Sequence, residues 1–197
     1  QALGGKDRRH GKQVAPAGEV ENIRLQGFGR NHPVWASARP RDAEHQVHYC
    51  QIHDRSQGGY RLMVSEAAAG CLRVGELLAL NEAADADSEP DWHLASVRWV
   101  RRGHDGTLEV GTQLFAGVVE AVGLERRRQG AARPERWVGL LLGAGSYHDE
   151  TLITPAFYAE AESSFILVQK QRKQSIELVH AVEITPCFAQ FRFAPLY

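Results

Sequence analysis

From Gly18 onward the chain is a succession of short stretches rich in Val, Ile, Leu and aromatics, each ended by turn residues. That pattern is the signature of an all-β chain. Strands are predicted at residues 20–26, 46–53, 60–65, 74–80, 92–101 and 107–115, while 118–124 stays open between strand and helix. Six short strands joined by hairpins imply a closed or nearly closed antiparallel barrel. Alternation supports this: Leu94, Ser96 and Arg98 form a mixed face against an apolar Ala95, Val97 and Trp99, and "HDG" at 104–106 is a hairpin turn.

Residues 1–17 carry four glycines or prolines and five basic side chains but almost nothing apolar, and they read as a mobile basic arm. The barrel is expected over residues 18–127. The segment "ERRRQGAARPE", 125–135, is the best linker candidate, with a C-terminal β-rich module after it at 134–197. Within that module strand-like stretches lie at 137–142, 165–169, 175–184 and 187–193, and a unit of this size must pack on the barrel or form a second small one. No internal repeat is visible.

With 23 Lys plus Arg against 24 Asp plus Glu, no global field recruits nucleic acid or lipid, so any anion site is local. No apolar run is long enough for a membrane span, and three unpaired-looking cysteines fit reduced thiols in a cytoplasm. The opening Gln1, with no Met, suggests a fragment with an upstream domain.

The stretch "IHDRSQGGYRL", 52–62, is over-equipped for a hairpin. Asp54 and Ser56 are two apart, so in extended backbone they share a face, and Gly58 and Gly59 permit positive φ and close backbone approach. A carboxylate beside exposed backbone groups suits adjacent N–H donors such as N1–H and N2–H₂ of guanine, whereas phosphates, O6 and N7 call for arginine. The competing role for both side chains is local turn capping.

Asp54-x-Ser56-x-x-Gly59 resembles the DxSxxG motif of PilZ domains, bacterial receptors for cyclic di-GMP. "LRVGELLAL" (72–80), "ASVRWVRR" (95–102) and "LEVGTQLF" (108–115) are similar to the later barrel strands of that family. The resemblance runs from about Gly18 to Ala116. It implies a six-stranded antiparallel barrel with ligand-binding residues Asp54, Ser56, Gly58 and Gly59, no cofactor and no catalysis. It also implies an N-terminal RxxxR clamp, from which this chain departs: Arg8 pairs with Lys12 and Arg9 with Gln13 at that spacing. Lys lacks the planar fork of Arg. Arg8, Arg9 and Lys12 are the chosen clamp, ahead of Arg24, Arg30, Arg39 and Arg41.

The implied function is cyclic di-GMP reception in the cytoplasm, with the arm closing over the barrel and altering a surface for a protein partner or upstream domain. The alternative is a degenerate PilZ-like interaction module that binds no nucleotide. An enzyme is disfavoured, since Ser146, His148 and Asp149 lie too close in sequence to converge as a catalytic trio. His45, His48 and His53 lack metal-ligand spacing. The basic runs at 125–129 and 170–173 lack the interleaved aromatics that single-strand nucleic acid binding uses.

Overall fold

The computed structural model describes residues 22–27, 47–65, 72–82, 91–103, 107–126, 133–143, 150–156, 163–170 and 172–197. They form twelve strands: β1 (Asn22–Gly27), β2 (Val47–Ser56), β3 (Gly59–Val64), β4 (Leu77–Asn81), β5 (Trp92–Arg102), β6 (Leu108–Leu114), β7 (Val119–Arg126), β8 (Glu135–Leu142), β9 (Thr151–Pro155), β10 (Ser164–Gln169), β11 (Arg172–Ile184) and β12 (Phe188–Pro195). Among the described residues there is no helix, and none long and apolar enough to cross a membrane.

Two closed antiparallel barrels result, ordered β1-β2-β3-β6-β5-β4 and β10-β11-β12-β9-β8-β7. Numbering the second from its own first strand gives the same order as the first. The chain therefore contains a topological repeat that its residues do not display, because strand order constrains only the inward–outward alternation, which many sequences satisfy.

In the first barrel that alternation turns Ile23, Leu25, Cys50, Leu62, Leu78, Leu80, Val97 and Val110 inward, each nearly fully buried. The second closes on Leu124, Trp137, Leu152, Phe165, Ile176, Leu178 and Phe191. Within it the Trp137 and Phe165 rings meet edge to face at 5.6 Å, the arrangement that the ring quadrupoles favour.

The barrels meet through outward-facing apolar side chains. Leu77 and Leu94 of the first pack with Leu142, Ile153 and Phe188 of the second, and Phe115 stands edge-on to Phe188 at 5.9 Å. Thr185 donates its hydroxyl to the Gly75 carbonyl at 3.0 Å. Gly75 has φ +84, and a Cβ there would lie 2.8 Å from the Thr185 Cβ, so both backbone and contact demand glycine. Arg98 adds a bidentate ion pair to Glu183.

Three expectations change. Residues 119–124 are strand, but β7 is hydrogen bonded to β8 and β10, so the chain changes sheet at 115–118 instead of at 127–134. The charged 125–135 segment joins the antiparallel neighbours β7 and β8; a hairpin connection and a linker have the same polar composition. Strand β9, "TLITP", was not foreseen. It is buried along its whole length and so lacks the alternation that marks half-buried strands.

Candidate functional site

The β2–β3 hairpin pairs Asp54 with Arg61, Arg55 with Tyr60 and Ser56 with Gly59. Tyr60 and Leu62 point into the core, so Asp54, Ser56 and Arg61 stand on the outer face of the barrel, and Asp54 and Ser56 are exposed. Arg55 faces the other way, pairing with Glu82 at 2.7 Å and lying over the Tyr60 ring. It braces the hairpin.

The Ser56 hydroxyl donates to the Gly59 carbonyl at 3.2 Å, which is the turn-capping role. Its lone pairs remain available as acceptors. Neither Gly58 nor Gly59 takes a left-handed φ, contrary to expectation; among the described glycines Gly75 and Gly117 do. Gly59 is needed for space: a Cβ would sit 1.9 Å from the Thr112 carbonyl oxygen, where β6 passes beneath. Gly58 meets no such obstacle, and its carbonyl accepts from the Leu114 amide at 2.8 Å.

The register carries the row onward. Arg61 pairs with Gly111 of β6, and Gly111 with Trp99 of β5. The register shift between Val97 and Trp99 is a bulge that inserts Arg98. Val97 stays in the core, and both Arg98 and Trp99 face outward. The expected apolar face of Ala95, Val97 and Trp99 is thus interrupted, because one inserted residue reverses the alternation. Trp99 lies against Gly111 so closely that a Cβ there would be 2.1 Å from its indole. At 40% exposure its ring remains open to solvent.

Beside this row Glu109 accepts from Arg61 at 2.9 and 3.1 Å and from Arg101 at 2.8 Å. Partial burial opposes ionisation of Glu109, but the hydrogen bonds and charge of the two arginines outweigh it and hold the carboxyl below its usual range. Glu109 thus holds two guanidiniums on the face that also carries Asp54 and Trp99. An exposed aromatic, a carboxylate, a hydroxyl and two oriented guanidiniums together suit a planar base attached to phosphate.

Sequence reasoning singled out Asp54, Ser56, Gly58 and Gly59, which the hairpin holds together; it did not single out Arg61, Trp99, Arg101 or Glu109, which the register places on the same face. Arg61 was legible once the hairpin register was fixed, since it stands opposite Asp54. Arg8, Arg9 and Lys12 lie outside the described residues, as do His45, Ser146, His148, Asp149 and the 104–106 turn. His48 is half-buried and His53 exposed, and no three potential metal ligands cluster among the described residues.

The family "Cyclic-di-GMP receptor FimW, middle PilZ domain" matches residues 6–119. The cyclic-di-GMP receptor FimW of Pseudomonas aeruginosa is 24% identical over 165 residues, covering 82% of this chain and 26% of that protein. The chain thus spans about a quarter of the length of this relative. Among solved structures it is similar to MrkH, described as a c-di-GMP-dependent transcription regulatory factor, at 7% identity and a TM-score of 0.28, over 89% of this chain and 77% of that one. With more than half of its residues matched, and with a six-stranded barrel bearing DxSxxG on its outer face, the chain belongs to the PilZ family, in the branch of the FimW middle domain.

Proposed function

We propose that the chain is a cyclic di-GMP receptor whose ligand lies on the outer face of β2, β3, β6 and β5. The observation that carries this reading is the outer-face row Trp99–Gly111–Arg61–Asp54, which the register builds from four strands, with Asp54 and Trp99 open to solvent. Asp54 and the Ser56 hydroxyl accept from N1–H and N2–H₂ of one guanine. The indole of Trp99 supplies the stacking surface, and Arg61 and Arg101 offer forks to phosphate or to O6 and N7. Arg8, Arg9 and Lys12 then close from the arm, whose missing second arginine the barrel's own guanidiniums offset. Gly59 lets β6 pass beneath the hairpin, and the Gly58 carbonyl ties the turn to Leu114.

Binding needs no cofactor and no catalytic step. It orders the arm in the cytoplasm and changes a surface presented to a protein partner or to the rest of a longer chain. Calorimetric titration with cyclic di-GMP at physiological salt tests this. A heat signal with dissociation constant below about 100 µM is expected, and its absence up to that concentration refutes the reading.

One observation favours a second reading. The Ser56 hydroxyl is already engaged within its turn, and no two arm arginines stand four apart. In that case the barrel is an interaction module that binds no nucleotide, and Asp54→Ala leaves partner binding intact.

A further inference from the structure

A guanidinium carries more N–H donors than one carboxylate oxygen can take. On the face that bears Asp54 and Trp99, Arg61 gives Nε and Nη2 to Glu109 at 3.1 and 2.9 Å, and Arg101 gives Nη2 at 2.8 Å. All three bonds end on one oxygen, Oε2 of Glu109. The remaining N–H groups of both arginines meet no acceptor among the described residues. The Arg61 side chain is 33% exposed and that of Arg101 65%, against 13% for Glu109. The guanidiniums therefore reach solvent with donors to spare, and the carboxylate stays behind them.

The two arginines hold the Glu109 carboxyl below its usual range, so it is fully ionised at neutral pH. Asp54 adds a second carboxylate to the same face. Among Asp54, Arg61, Arg101 and Glu109 the face thus offers oriented donors with no excess of positive charge. Such a face recognises a phosphate by the direction of its N–H groups, and a further charge on that phosphate gains little from the field while it still has more hydration to shed.

We infer, on the nucleotide reading above, that Glu109 is the specificity-determining residue of this face and tilts it toward a singly charged phosphodiester and away from a phosphomonoester. A diester taken by the spare donors of Arg61 and Arg101 meets the repulsion of the Glu109 carboxylate with one charge. A monoester, at about −1.5 to −2, meets it nearly twice over. The molecule set apart in this way is the linear dinucleotide with a 5′-phosphomonoester, which carries the same two guanines as the cyclic one.

Calorimetric titration of the full chain with cyclic di-GMP and with linear 5′-phosphoguanylyl-guanosine gives the ratio of the two affinities. Glu109→Gln keeps the shape and removes the charge, and in it the linear nucleotide should gain about fivefold on the cyclic one, the worth of roughly one unit charge at a few ångströms in water. Glu109→Asp keeps the charge and should keep the parental ratio. An unchanged ratio in a folded Glu109→Gln overturns the inference even if both affinities fall, because loss of arginine positioning alone weakens both nucleotides alike. A shift in Glu109→Asp as large as that in Glu109→Gln overturns it as well. Either result leaves cyclic di-GMP reception standing, whereas a parent chain that does not bind cyclic di-GMP removes that reading and the role of Glu109 with it.

Discussion

Replacing Gly111 by alanine tests whether Trp99 is the stacking surface without touching any group that contacts ligand. The added Cβ would lie 2.1 Å from both Nε1 and Cε2 of the indole and 2.6 Å from Cζ2. Ordinary carbon contacts fall at about 3.5–4.0 Å, so the ring must retreat by roughly 1.5 Å. Retreat carries it off the sheet and out of line with Arg61 and Asp54. Base–aromatic stacking is worth about 1–3 kcal/mol, so cyclic di-GMP affinity should fall roughly 5- to 150-fold. Overpacking should cost stability too, by about 1–3 kcal/mol at most since the displaced ring can move into solvent. Calorimetric titration gives the affinity and thermal unfolding confirms the barrel. Trp99→Ala should lose as much, and the double variant little more, because both changes remove one contact. A folded Gly111→Ala chain that binds with parental affinity while Trp99→Ala does not would refute the reasoning.

Gly59→Ala drives a Cβ to 1.9 Å from the Thr112 carbonyl, which is backbone and cannot swing away; the hairpin must lift, with a loss of about 2 kcal/mol or more in chemical unfolding. Glu109 has a lowered pKa in the fold, so the Arg61–Glu109–Arg101 cluster contributes fully above the ordinary value of 4.5 and loses that contribution as pH falls through the lowered one. Glu109→Gln should therefore flatten that part of the acid limb of a melting-temperature profile. Cys50 is 2% exposed, and burial pushes its thiol up to about 11; a disulfide reagent at about pH 8 should reach it only through opening of the barrel. Cys50→Ser should accordingly leave the fast phase of thiol labelling unchanged.

Local pattern told which residues face a core. Tyr60, Leu62 and Val64 alternate with Arg61 and Met63, and the same rule set Ile23 and Leu25 inward. The DxSxxG stretch also identified the hairpin and its exposed carboxylate, since a two-residue spacing in extended backbone leaves one possible side. Trp99 escaped this logic. Its alternation assigned it inward, and a single inserted residue at Arg98 reversed the face. Nothing local marks a bulge of that kind, because the pairing that defines it belongs to the neighbouring strand.

What the residues by themselves determined was the all-β class, the first barrel's strands and the Asp54–Ser56 turn, because period-two burial and turn chemistry act within a few neighbouring positions. The tertiary structure alone decided that β7 belongs with the second barrel, that this barrel repeats the first one's strand order, and that Trp99, Gly111, Arg61 and Asp54 form one row. Hydrogen bonding between strands is indifferent to side-chain identity, so alternation says which way a residue points and leaves open which strand lies beside it.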